Sequence, residues 1–206
     1  MTTLVALGFL VVAAVDAGSA RGTVVLEAGQ TLGTVCRKQY GNEHYAELIA
    51  LINGAPSSAK VKAGQTLAVP RLAELVAAEG FAGAAKVAAE NTAEAAQGLL
   101  DVQAQLRTFI AGHDPKGMTP PPPELTATLR ALQGKALAAA KALDAFAPDA
   151  GTPPKAAVFK LHRVADGLLQ LARGQVVSPD YDQFILEQDL ALALTELVKW
   201  RRAGLR

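Results

Sequence analysis

The period of the apolar positions changes near residue 71. Before it, short apolar runs alternate or recur over one or two helical turns, with turn residues between them. TVVLE at Thr23 to Glu27 alternates and stops at Ala28-Gly29, which predicts a short strand. Thr31 stands next, where a helix N-cap belongs, because its hydroxyl can accept a free N–H of the first turn. Behind it Leu32, Val35, Cys36 and Tyr40 share one helical face, and Gly41-Asn42 ends the pattern. A second stripe, Tyr45, Leu48, Ile49 and Ile52, stops at Asn53-Gly54. The loop APSSAKVKAG then leads into QTLAVP, where Leu67 and Val69 alternate and Pro70 closes a strand. The predicted order is strand, helix, helix, strand.

From Arg71 onward the pattern is almost wholly helical. The first stretch runs from Leu72 to Ile110, regular in its later half (Leu99, Val102, Leu106, Ile110) and weakened earlier by Gly80 and Gly83. At 1.5 Å per residue, about 40 residues would reach about 60 Å, against about 35 Å for the next helix. Such a helix either overhangs as a stalk or bends at Gly80 to Gly83, and the glycines favour the bend. GHDPKGMTPPPP interrupts it, because Pro120 to Pro123 cannot be helix interior and favour an extended spacer. Leu125, Leu129, Leu132, Ala136, Ala139, Leu143 and Phe146 mark a second helix. After APDAGTPP, with Pro154 suited to a first turn, Val158, Leu161, Ala165, Leu168 and Ala172 mark a third. Ser178-Pro179-Asp180 opens a fourth, carrying Tyr181, Phe184, Ile185, Leu194, Leu197 and Val198. The expected fold is therefore mainly α: a small βααβ domain over 21–71, then an antiparallel four-helix bundle over 72–206 with a Pro-rich loop at 113–123.

Composition narrows this picture. Half of the 206 residues are hydrophobic and few are aromatic, so alanine and leucine carry the core, a helical composition. The net charge of +1 provides no global field toward nucleic acid. A single cysteine, Cys36, excludes an intrachain disulfide framework and a cysteine-rich metal site. At the start, Leu4 to Val15 is an apolar run of about a dozen residues, too short to span a bilayer comfortably. Gly18 and Ala20 come after it at the −3 and −1 positions of a cleavage site. This predicts a signal peptide at 1–20 and a mature chain from Arg21, although no Lys or Arg precedes the run. A buried first element of a cytosolic protein is the alternative. No cysteine follows the run to carry a lipid anchor.

The strand-helix-helix-strand segment resembles the LysM (lysin motif) family. The residues that carry the resemblance are Gly29-Gln30-Thr31-Leu32 opening the first helix, Tyr40-Gly41 ending it, LIALIN ending at Asn53, and Gly64-Gln65-Thr66-Leu67-Ala68-Val69-Pro70 at the close. They occur in the family's order and spacing. The resemblance implies binding of N-acetylglucosamine-containing glycans, peptidoglycan or chitin, in a shallow groove between two loops. One loop is Gly29, Gln30, Thr31 and Leu32; the other is Ile52, Asn53, Gly54 and Ala55. An N-acetyl group presents an amide donor, a carbonyl acceptor and a methyl, so loop backbone groups suit the first two. An apolar side chain such as Leu32 or Ile52 suits the third. Two positions depart from the family pattern: Gln30 stands for the usual aspartate, and Val24 for an aromatic residue common on the first strand. The word AGQTL occurs twice, at Ala28 to Leu32 and at Ala63 to Leu67, but the flanks diverge at once and no third copy makes a repeat. Of the two, the first is expected to touch ligand and the second to enter the closing strand.

Other candidate chemistry reduces to structure. Cys36 on an apolar face reads as a buried inert thiol. His44, His113 and His162 have no metal-ligand spacing, and no CxxCH accompanies His162 as a haem ligand would require. Lys199, Arg201 and Arg202 suit a helix C-terminus, with Trp200 among them a conceivable contact for phospholipid or wall phosphates. A wall hydrolase would need a cysteine outside the LysM-like segment, clustered zinc ligands, or two carboxylates across a cleft. Glu90, Glu94 and Asp101 instead sit at helix-surface spacing. The expectation is a non-enzymatic, periplasmic or secreted glycan-binding protein, with no cofactor, no metal, no nucleic-acid partner and no stable membrane span. Its helical part would be a spacer or a docking surface for another envelope protein. The alternative is a structural adaptor of a phage-tail-like or secretion apparatus.

Overall fold

A computed structural model describes residues 22–113, 118–146, 153–176 and 179–204, the backbone alone over 179–184. The expected signal segment at 1–20, the cap Ser178, and the side chains of Tyr181 and Phe184 lie outside the described residues. The chain is mainly helical, with one two-stranded sheet among the described residues. Strands β1 (Thr23–Val25) and β2 (Thr66–Ala68) are antiparallel, with Thr23 opposite Ala68, Val24 opposite Leu67 and Val25 opposite Thr66. Between them come α1 (Leu32–Tyr40), a 3-10 turn (Glu43–Tyr45), α2 (Ala46–Ile52) and a second 3-10 turn (Ser58–Lys60). After β2 come α3 (Leu72–Ala78), α4 (Gly83–Asp101), α5 (Gln103–Ala111), α6 (Pro123–Asp144), α7 (Lys155–Ala172) and α8 (Pro179–Ala203).

The start and stop residues act as their chemistry dictates. Thr31 Oγ1 accepts the Thr34 N–H at 3.1 Å and caps α1. Gly41, at φ 64°, ends it in the left-handed region. The buried face of α1 is Leu32, Val35, Cys36 and Tyr40. The Tyr40 hydroxyl donates to the Pro70 carbonyl at 2.6 Å, which ties the end of α1 to the segment after β2.

The long helical stretch after Arg71 is divided twice. Gly80 and Gly83, at φ 66° and 53°, separate α3 from α4, the bend that the two glycines favour. A second division at Val102 (φ −101°, ψ 4°) separates α4 from α5 and leaves no trace in the apolar pattern, since Leu99, Leu106 and Ile110 stay buried on either side of it. Of the proline run, Pro123 begins α6 and Pro121 is buried against the fold.

Helix α6 packs against α4 and α7, and α8 packs against α7 and α4. Their facing surfaces are leucine and alanine: Ala88, Leu129, Ala139, Leu161, Leu168, Ala193 and Leu194 are all fully buried. Each buried leucine contributes about 1.5–3 kcal/mol through the hydrophobic effect, while alanine lets helices approach closely. The βααβ unit does not stand apart. Its 3-10 turn and α2 pack on α8, and Tyr45 is 1 % exposed there. One continuous apolar core runs from Leu26 through Val198.

Candidate functional site

The two copies of AGQTL fold into the same turn. Gly29 and Gly64 take φ of 83° and 84°, conformations that L side chains resist. In the first copy the Gln30 N–H donates to the Glu27 carbonyl at 3.1 Å, and the Gln30 side-chain carbonyl accepts the Glu27 N–H at 3.4 Å. In the second, the Gln65 N–H donates to the Lys62 carbonyl at 3.2 Å, and Gln65 Oε1 accepts the Lys62 N–H at 2.7 Å. The glutamine thus closes its own turn three residues back. Beyond the turn the copies diverge: Thr31 caps a helix, whereas Thr66 enters β2.

The first loop is largely committed to its own structure. Gln30 Nε2 donates to Glu27 Oε2 at 2.7 Å, and Thr31 is the cap. Leu32 is 3 % exposed and belongs to the core, so it offers almost no surface to a ligand methyl. Gly29 is exposed. In the second loop, Ile52 and Ala55 are half-buried and Gly54 is exposed at φ 76°. Asn53 is a peg. Its Nδ2 donates to the carbonyls of Ile49 (2.8 Å) and Ala68 (2.9 Å), and its Oδ1 accepts the Ala68 N–H at 2.7 Å. The side chain thereby joins the end of α2 to β2, and both ends of its amide are used.

An open pocket of about 370 Å³ lies beside this second loop. Asn53, Gly54 and Ala55 line it together with Lys60, Gln65 and Thr66. The pocket therefore adjoins the second AGQTL copy, and Gly29 to Leu32 do not line it. The signal that marks it in the sequence is the shared turn itself, which sets Gln65 and Thr66 at the mouth of β2. A larger recess of about 530 Å³ lies where α1 meets α4 and α5, lined in part by Lys38, Gly41, Arg71, Asp101 and Gln103. Two of its amides are engaged: Gln103 Nε2 donates to Glu187 Oε1 at 2.8 Å and Gly41 O at 3.4 Å, and Gln97 Nε2 donates to Asp101 at 3.0 Å.

Burial pushes the Cys36 thiol up to about 12, far from a nucleophile's range, and raises the Tyr40 and Tyr45 hydroxyls further. His162 pairs with Asp144 at 3.2 Å, and His113 lies against the Phe109 ring. Among the described residues no three His, Cys, Asp or Glu side chains converge as metal ligands, and no helix is long and apolar enough to cross a membrane. Glu90 pairs with Lys86 and Glu94 with Lys135. The basic end of α8 is turned to the protein. Arg202 grips both oxygens of Glu79 (2.9 and 2.5 Å) and the Leu51 carbonyl, Arg201 Nε donates to the Gly80 carbonyl at 3.2 Å, and Trp200 meets Phe146 edge-on at 5.0 Å. A buried carboxylate that the apolar pattern conceals sits between α7 and α8, where Asp189, fully buried, receives the partly exposed Arg163 (2.6 Å) and Lys160 (3.5 Å).

Compared with protein-family models, curated proteins and solved structures, the chain matches none of them.

Proposed function

We propose that the βααβ unit is a LysM-like module that holds an N-acetylglucosamine-containing wall glycan, peptidoglycan above all, and that the helical part positions it. The observation that carries this reading is the open pocket beside the α2–β2 loop, on a unit whose strands pair antiparallel in the order the motif expects. Gly54 offers bare backbone at the pocket, where an added Cβ would meet nothing within 4 Å. Gln65 and Thr66 add polar side chains suited to an N-acetyl amide, and half-buried Ala55 suits its methyl, whereas Ile52 on the same loop does not line the pocket. Leu32, in the core, supports the first loop from below. In this reading α4, α6, α7 and α8 are an antiparallel four-helix bundle, the protein is periplasmic or secreted, and it carries out no chemistry of its own.

The test is co-sedimentation of the full chain with purified peptidoglycan. Retention in the pellet supports the reading, and a protein that stays in the supernatant at every load rejects it. Gln65→Ala together with Thr66→Val should weaken retention about three- to tenfold at unchanged helical circular dichroism; retention equal to wild type would move the site away from this pocket.

The adaptor reading draws on one observation. The unit is fastened to α3 and α8 through Arg202, Glu79 and the Leu51 carbonyl, as suits a part held rigidly in an assembly. N-terminal sequencing of the protein from its cell separates the two: a chain beginning near Arg21 supports export, and an intact Met1 favours the adaptor.

A further inference from the structure

Building on the glycan reading, we infer that the pocket beside the α2–β2 loop selects carboxylate-bearing N-acetylated glycans over neutral ones. The charge around it is one-sided. Among the described residues Lys60 is the one ionisable side chain that lines it, and Asn53, Gly54, Ala55, Gln65 and Thr66 add no acid. The acid on the same stretch of chain, Glu47, is occupied: it accepts the Ser58 N–H at 3.2 Å and the Ser58 hydroxyl, and so fixes the 3-10 turn that carries Lys60. Lys60 is exposed, and among the described residues its ammonium enters no ion pair or hydrogen bond. Gln65 commits its Oε1 to the Lys62 N–H, which leaves its Nε2 as a donor on a residue that lines the same pocket as Lys60. A pocket lined by an unpaired cation, an amide donor and a threonine hydroxyl suits a carboxylate; a neutral sugar would leave the charge unanswered. In a wall glycan that carboxylate is either the lactyl group of a muramyl sugar or an acid on its stem peptide. A chitin chain has neither.

The experiment compares binding of three soluble probes to the full chain at low salt: chitotetraose, a peptidoglycan tetrasaccharide stripped of peptide so that its lactyl carboxylates are free, and the same tetrasaccharide carrying stem peptides. The wild-type protein should bind at least one carboxylate-bearing probe more tightly than chitotetraose. Lys60→Gln should lower that affinity about two- to fivefold, the scale of an exposed ion pair, and leave chitotetraose unchanged. Lys60→Glu should lower it further, and added NaCl should mimic Lys60→Gln. An advantage confined to the stripped probe assigns the lactyl group; one confined to the peptide-bearing probe assigns the stem. If the wild type shows no preference, or if Lys60→Gln affects all probes alike or none, carboxylate selection falls while glycan binding stands. If no probe binds at all, both fall.

Discussion

Asn53 shows how a residue can stand at a proposed ligand loop and still be consumed by the fold. Its amide makes three hydrogen bonds, to Ile49 O, Ala68 O and Ala68 N. Asn53→Ala should therefore cost about 1–3 kcal/mol, seen as a lower thermal midpoint, before any effect on binding is considered. Cys36 is the second case. Its thiol is buried and pushed up to about 12 from 9.0, so native protein should resist alkylation at pH 8 while the denatured chain reacts. The same shift has a pH consequence. Above about pH 9 the unfolded thiol gives up its proton and the folded one keeps it, so the folded state binds more protons and stability falls as pH rises. The tyrosines Tyr40 and Tyr45, also raised, act in the same direction. Denaturation midpoints measured from pH 8 to 11 should decline steadily; a flat profile would show that these groups are not buried in solution. The burial of Cys36 was legible in the sequence from its place on an apolar face. The full use of the Asn53 amide was not, because its partner Ala68 is fifteen positions away.

At the scale of the element, local rules predict starts and stops well. Thr31 caps α1, Gly41 ends it, and the leucine stripes of α6 and α7 face inward along nearly their whole predicted length. The break at Val102 is not legible, because no glycine or proline marks it. It redirects α5 so that Gln103 reaches Gly41 and Glu187, partners that come from distant parts of the chain. Glycines in two helical contexts make a contrasting pair of predictions. Gly174 lies just past α7 at φ 76°, and an added Cβ would strike the Thr119 carbonyl and Pro120 nitrogen, so Gly174→Ala should destabilise by more than about 1 kcal/mol. Gly134 lies inside α6 where a Cβ meets nothing, so Gly134→Ala should stabilise by about 0.5–1 kcal/mol. Urea denaturation of both variants reads the two signs side by side.

For the whole molecule, the division at residue 71 that the pattern suggests is bridged in three dimensions. Tyr45 is buried against α8, and Arg202 near the end of α8 clasps Glu79 and the Leu51 carbonyl at the last turn of α2. Arg202→Ala removes a bidentate pair and strands a mostly buried carboxylate, so a loss of about 1–3 kcal/mol is expected. Lysine should not restore it, because it lacks the planar fork. Hydrogen exchange in α2 should quicken in both variants; unaltered protection would show that the clasp holds nothing. For the same reason a fragment ending near residue 71 exposes Tyr45 and should unfold at lower denaturant than the intact chain, so the proposed glycan binding belongs in tests on the whole protein.

The sequence alone determined what depends on near neighbours: the strand-helix-helix-strand order, the cap of α1, the buried faces, and the word AGQTL repeated at two turns. Each arises from backbone sterics, periodicity and hydrogen bonds that span a few positions. Only the tertiary structure decided which polar groups remain free for a ligand. Asn53 and Leu32 are taken up by distant strands and core, Arg202 by α2 and α3, and Asp189 by α7. Lys60, Gln65 and Thr66 are brought beside Gly54 because β2 returns along β1 and Asn53 pins it to α2. Those pairings join residues far apart in the chain, and desolvation decides among them only once the core has closed.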